Sequence, residues 1–169
     1  MNLLRMLGAL CLFGCVCALG LWMSARLRRR LRSLEEMRGF FERMCASIGY
    51  AAPPMEEVVR EIAEDGTLLA ARDCFVRLRQ GEPFPAAFAK AVQMNAAALS
   101  LTPEDAALLV RAAERLGRTD AKGQAALLRL GIAELEPQIA AAAEDVRRRG
   151  KLYRSLGVLG GLAGVILLI

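Results

Sequence analysis

The chain contains no histidine. That removes the side chain most used as a general base near neutral pH, which is also a common zinc ligand. Aromatic residues make up only 5% of the 169 positions, with a single tryptophan. No stretch alternates valine, isoleucine, threonine or aromatics with polar residues, so strands are not expected. The five cysteines, Cys11, Cys15, Cys17, Cys45 and Cys74, form no C-x-x-C pair. Neither a metal knuckle nor a thioredoxin-type redox site is suggested, and the thiols read as small buried hydrophobes in a reducing compartment. There is no glycine-rich phosphate loop and no G-x-S-x-G. The adjacent acids Glu35–Glu36, Glu56–Glu57, Glu64–Asp65 and Glu104–Asp105 diverge on a helix and do not converge on one reacting atom. No catalytic residue, metal site or cofactor is predicted, and the chain is not expected to be an enzyme.

What is present is helical. Hydrophobic residues reach 55%, and alanine, leucine, arginine and glutamate dominate, all strong helix formers. The expected class is all-α. The net charge of +5 hides an uneven distribution. Arg26, Arg28, Arg29, Arg30 and Arg32 form one basic cluster, and Arg147, Arg148, Arg149, Lys151 and Arg154 form another. All 18 acids lie between the clusters, so residues 33–146 carry a net −6. A nucleic-acid binder would carry positive charge on its folded body. Here the positive charge flanks apolar segments, which predicts a membrane surface as partner.

Residues 6–25, "MLGALCLFGCVCALGLWMSA", hold no charge. As a helix they would be about 30 Å long, the thickness of a bilayer core. Trp22 stands near the end, where an interfacial ring belongs. Ser155–Ile169 is shorter, about 22 Å at the helical rise, with Tyr153 and Arg154 at its start, and would span by local thinning or snorkelling. A cleaved signal peptide has a shorter apolar core, and five arginines after it would oppose export. "LFGC" at 12–15 is a poor lipoprotein box, because the apolar run continues past Cys15. Both basic collars lie on the inner side of their spans. The expected organisation is an N-terminal transmembrane segment at 1–25, a cytoplasmic domain at 26–154 and a C-terminal transmembrane segment at 155–169, with both termini outside.

Within that domain, Leu27, Leu31, Leu34, Met37, Phe41, Met44 and Ile48 step by threes and fours, an amphipathic stripe with Gly49 as stop. "APPMEEVVREIAEDG" places prolines before a second helix, with Glu56 and Glu57 in its first turn. A third helix is predicted from a Thr67 cap to Gly81, and a fourth from Pro85. A fifth has Thr102 as N-cap and Pro103, Glu104 and Asp105 in the first turn, and Gly117 as stop. Thr119 or Asp120 caps the sixth. Its stripe, Leu128, Ile132, Leu135, Ile139, Ala143 and Val146, runs past Pro137, which predicts a kink and not a break. Short connectors predict a compact antiparallel bundle of about six helices between the two transmembrane helices. In the last segment Gly157 and Gly161 are four apart, as are Gly160 and Gly164. Gly14 and Ala18 have the same spacing in the first. Such small-residue faces let helices approach closely in lipid, within one chain or between copies, so a homo-oligomer is one possible outcome.

Several stretches together resemble stage III sporulation protein AB of endospore-forming bacteria. They are the closing "YRSLGVLGGLAGVILLI", the junction "RLGRTDAKGQ" with Leu116, Gly117, Thr119, Asp120 and Gln124, and "G-E-x-F-x-x-A-F" at 81–88. Pro137 departs from a helix that the family fills with Glu and Ala. The resemblance covers the whole chain and implies a soluble domain similar to the helical cytoplasmic domains of type II secretion platform proteins, the F family. It further implies a place among sporulation proteins that form a channel between mother cell and forespore. One of these, stage III sporulation protein AA, resembles a secretion ATPase. The expected function is a non-enzymatic component that anchors this ATPase from the mother-cell side, alongside other channel components. Glu56, Glu57, Asp120 and Gln124 are the candidate docking residues. The glutamates also suit a helix start, and Asp120 also suits a cap. The alternative is a lipid-organising or self-associating scaffold with no ATPase partner.

Overall fold

Helix-forming composition, proline and glycine punctuation and one strong cap divide the described residues into six helices. The computed structural model describes residues 3–50, 55–64, 68–116 and 119–168, without the side chains at 3–6, 9, 12, 49, 50, 154, 167 and 168. In order the helices are α1 (Leu3–Tyr50), α2 (Met55–Glu64), α3 (Leu69–Arg79), α4 (Phe84–Asn95), α5 (Pro103–Glu114) and α6 (Ala121–Leu168). No strand occurs among the described residues, so the all-α class and the helical bundle hold. The expected signals at Gly49, Pro53, Pro54, Gly66, Thr67 and Gly117 lie outside the described residues or side chains.

The chain divides into two compact units, Met1–Leu31 with Ala141–Ile169, and Arg32–Ala140. The first is a pair of helix ends and the second a bundle. α1 and α6 are each continuous over 48 residues, about 72 Å at 1.5 Å per residue. α6 continues through Pro137, whose side lies exposed. The helix therefore passes into the last apolar segment without a break, as the surviving periodicity predicted.

In the bundle unit α2 packs on α3, α3 on α4 and α4 on α5. The core is aromatic at its centre. The Phe88 ring lies 5.5 Å from Phe40, 5.8 Å from Phe41 and 5.6 Å from Phe84. Leu34, Met37, Phe41, Met44 and Ile48 are buried, as the α1 stripe predicted. Phe40 is also fully buried, beside the stripe and not on it. On α6, Leu128, Leu135 and Ile139 are buried, while Ile132 and Val146 are half-buried. Ala142 is buried and Ala143 exposed, a correction to the expected stripe. At 100° per residue a face that meets Ile139 is met again at Ala142 or Ala143, and the helix turns the former inward.

The caps explain the helix limits. Thr102 Oγ1 accepts from Asp105 N at 3.1 Å, and Thr102 N donates to Asp105 Oδ2 at 2.9 Å. This reciprocal capping box, with Pro103 in the first turn, confirms the predicted start of α5. Asp105 is fully buried there. α3 ends in a Schellman motif: Gly81 N donates to Leu78 O at 2.9 Å and Glu82 N to Arg77 O at 3.2 Å. Gly81 takes φ +84°, the left-handed conformation that glycine adopts without a Cβ penalty. The extra turn after α4 ends the same way, with Ser100 N donating to Ala97 O and Leu101 N to Ala96 O. Ser100 holds φ 58° with a side chain, which costs about 1 kcal/mol relative to glycine.

The predicted transmembrane ends of the fold do not emerge from the described residues, among which no helix is long and apolar enough to cross a membrane. The side chains of the uncharged run of α1 are described without a gap only from Phe13 onward. A span-length of helix from there already takes in Arg26, Arg28, Arg29 and Arg30.

Candidate functional site: glycine seam, basic collars and an acidic face

The paired helix ends meet along a seam made by absent side chains. A Cβ on Gly20 would stand 2.5 Å from Tyr153 O and 3.1 Å from Gly157 Cα. One on Gly157 would stand 3.3 Å from Val16 O and 3.4 Å from Gly20 Cα. One on Gly161 would strike the Phe13 ring at 2.7 Å. Cys17 Sγ donates to Gly157 O at 3.6 Å. Further along, Ser24 is buried and its Oγ lies 3.6 Å from the Cβ position of Gly150. Partner numbers fall on one helix as they rise on the other, so the ends of α1 and α6 run antiparallel within one chain.

Gly157 and Gly161 both lie on this seam. Gly160 lies at the seam's edge, 3.6 Å from Val16 Cγ1, and Gly164 is half-buried. Gly14 and Ala18 lie off this seam. Gly14 meets nothing within 4 Å and Ala18 is exposed. Gly14 lies six residues before Gly20, which turns it about 120° off the seam. Gly20 was missed although Ser24, also on the seam, stands four positions after it, because its closest partner is on the other helix. Around the seam the large apolar side chains point outward: Leu10, Leu19, Trp22, Leu156, Leu159 and Ile166 are all exposed.

The two basic collars differ. Arg147 and Arg148 both pair with Glu144, the former at 2.6 Å. Arg149 pairs with Asp145 at 3.2 Å. Arg30, its side chain 14% exposed, reaches Asp145 at 3.6 Å. Arg32 pairs with Glu36 at 3.1 Å. Arg26, Arg28 and Arg29 are exposed, with no acid in salt-bridge reach among the described residues. The Arg26 guanidinium carbon lies 6.0 Å from the centre of the Trp22 ring. Lys151 is exposed, and the Arg154 side chain lies outside the described residues.

The docking candidates separate into two places. Glu56 and Glu57 are exposed on α2, whose other face buries Val58, Val59 and Ile62. Glu61 and Glu64 share the outer face, and Arg60 stands 3.8 Å from Glu57 and 3.9 Å from Glu64. Four carboxylates against one guanidinium make this an acidic face. Its last two acids were not singled out, although their spacing of 4 and 3 from Glu57 and Glu61 is legible. Asp120 and Gln124 instead build the start of α6. Asp120 Oδ1 accepts from Gly123 N at 3.0 Å, and Gln124 Nε2 donates to Thr119 O at 3.0 Å. A Cβ on Gly123 would crowd Thr119 Oγ1 at 2.8 Å and Asp120 Oδ1 at 2.9 Å. The "T-D-x-x-G-Q" part of the junction is therefore a cap that engages Asp120 Oδ1 and Gln124 Nε2.

The "G-E-x-F-x-x-A-F" stretch has an equally structural explanation. Gly81 closes α3, and Glu82 then joins two helices, 3.3 Å from Arg77 Nη1 and 3.0 Å from Lys90 Nζ. The hydrogen bond from Lys90, helped by the Arg77 charge, holds the Glu82 carboxyl below its ordinary range against a smaller opposing desolvation. Phe84, Ala87 and Phe88 enter the core. Burial pushes the Cys74 thiol up to about 12, against a smaller opposing effect of Arg77, so it stays a protonated hydrophobe. A groove of about 530 Å³ is lined by Pro85, Arg111, Glu114 and Arg115. Among the described residues it offers two guanidinium groups and one carboxylate but no nucleophile, and Arg115 is already paired with Glu134 at 2.9 Å. Among the described residues no group of histidine, cysteine, aspartate or glutamate could hold a metal ion.

Comparison with curated proteins and with solved structures gives no significant match. The family described as "Stage III sporulation protein AB (spore_III_AB)" matches residues 5–169. That match covers the seam, both collars, the acidic helix and the capped junctions, and its name carries a role in stage III of sporulation. The chain belongs to the stage III sporulation protein AB family.

Proposed function

We propose that the chain is a non-enzymatic, membrane-anchored assembly component of the sporulation channel between mother cell and forespore. In this reading it holds a secretion-type ATPase, of the stage III sporulation protein AA kind, on the cytoplasmic face of the mother-cell side. The observation that carries the membrane part is the seam with its outward apolar shell. The paired ends bury glycines and leave leucines and Trp22 exposed. That is the inverse of water-soluble helix packing and the usual arrangement in lipid. The uncharged run 6–25, taken whole, has the length a bilayer core requires.

The acidic outer face of α2 supports a protein partner with a basic surface, because complementary charge steers and orients association. Asp120 and Gln124 contribute to the junction and not to this face. In this reading, the likeness to type II secretion platform domains expected from the sequence supplies a precedent for a helical domain that meets an ATPase. The test is co-purification of the full chain, in detergent, with the cognate ATPase, beside a Glu56→Lys/Glu57→Lys variant. We expect retention of the ATPase by the parent chain and at least tenfold less by the folded variant. Failure of the parent chain to retain the ATPase would remove the docking role and favour the lipid-organising scaffold.

A further inference from the structure

The two basic collars have opposite relations to the apolar segments they flank. In an α-helix every Cα–Cβ bond tilts toward the helix N-terminus. The apolar segment of α1 precedes its collar, so arginines there lean toward it. The apolar segment of α6 follows its collar, so arginines there lean away from it. The contacts nearest the apolar segments follow this rule, whereas Arg32, farther along α1, is drawn forward to Glu36. Arg26 reaches back one turn to cover Trp22. Arg148 and Arg149 reach back one turn to Glu144 and Asp145, and Arg147 back to Glu144.

Charge reinforces the difference. The first acid in the sequence is Glu35, so Arg26, Arg28 and Arg29 have none within a turn. The α6 collar is immediately preceded by Glu144 and Asp145, which accept three of its arginines. Three exposed, uncompensated guanidinium groups directed toward an exposed apolar shell are complementary to the phosphates at a bilayer surface. An acidic peptide would find the same charge but would have to lie against the apolar shell.

We propose that Arg26, Arg28 and Arg29 form a binding site for anionic phospholipid headgroups, and that Arg147, Arg148 and Arg149 do not, being held by Glu144 and Asp145. Lys151 leans with the α6 group. The proposal rests on the membrane reading above and deepens it by naming the lipid class and the helix that selects it.

Trp22 is the chain's only tryptophan and reports on this site directly. The experiment places the full chain in vesicles of phosphatidylcholine and phosphatidylglycerol, with bromine on the acyl chains of one lipid or the other, and measures quenching of Trp22. The expected result is several-fold stronger selection of phosphatidylglycerol by the parent chain, since a basic residue near the surface contributes roughly fivefold in affinity. Arg26→Gln/Arg28→Gln/Arg29→Gln should bring selection to near parity, and Arg147→Gln/Arg148→Gln/Arg149→Gln should keep most of it. Because Trp22 lies beside the α1 collar, a Trp22→Phe/Leu152→Trp chain repeats the measurement from exposed position 152 and should show weaker selection. Equal loss in the two triple variants, or equal selection at both reporter positions, would overturn the proposal while leaving membrane insertion intact. Quenching by both lipids without preference would do the same. Absence of quenching by either lipid would overturn the membrane reading together with the proposal.

Discussion

At the scale of single residues, the glycines divide by what a side chain would meet. Gly20 faces backbone on the opposite helix, and backbone cannot rotate aside. Gly161 faces the Phe13 ring, which has some freedom to move. Gly14 faces open space. Gly20→Ala should therefore force the helix ends apart at a cost of about 2 kcal/mol, the range for overpacking, while Gly14→Ala should be close to neutral. The check is disulfide formation between Val16→Cys and Gly160→Cys in a full chain whose Cys11, Cys15 and Cys17 are alanine. Gly20→Ala should reduce the yield sharply and Gly14→Ala should leave it unchanged. Equal yields would mean that the seam tolerates a methyl group at Gly20.

At the scale of elements, the junctions carry much of the specificity. Glu82 ties the end of α3 to α4 through Arg77 and Lys90. Its carboxyl titrates below the ordinary glutamate range because Lys90 donates to it. A carboxyl lowered in the folded state stabilises fully above its unfolded value, and the contribution disappears as pH falls through the folded value. Melting temperatures of the parent chain should then drop more steeply below about pH 4.5 than those of Glu82→Gln. Parallel curves for the two chains would show that the triad adds no pH-dependent stability. How far the elements were legible follows the same line. The capping box at Thr102 was readable because its four residues are contiguous and each has a local role. The stripes of α1 and α6 were readable from their period. Phe40 was not, because a helix wedged between neighbours buries more than one row, and period alone identifies only the first. Asp120 was ambiguous for a different reason: a docking carboxylate and a capping carboxylate look alike until the amide of Gly123 is placed beside one of them.

At the scale of the whole molecule, two 48-residue helices enclose four short ones in sequence, and each long helix contributes to both compact units. The bundle unit centres on Phe88, which contacts Phe40, Phe41 and Phe84. Phe88→Ala should cost about 4 kcal/mol, enough to lower thermal stability by many degrees, measurable by circular dichroism of the full chain in detergent. A small shift would indicate that the neighbouring rings collapse into the space. The pairing of the helix ends was the part least legible in the sequence, since small residues four apart were sought along one helix, whereas the close approach is between Gly20 and Gly157 on two. That approach also has a consequence for how the fold is encoded. Exposed positions such as Leu19 and Leu159 accept almost any apolar letter, so each specifies little. Gly20 resists every side chain, so one position fixes the alignment of two chain segments more than 130 residues apart, and drift in sequence should be slowest where the molecule has no side chain at all.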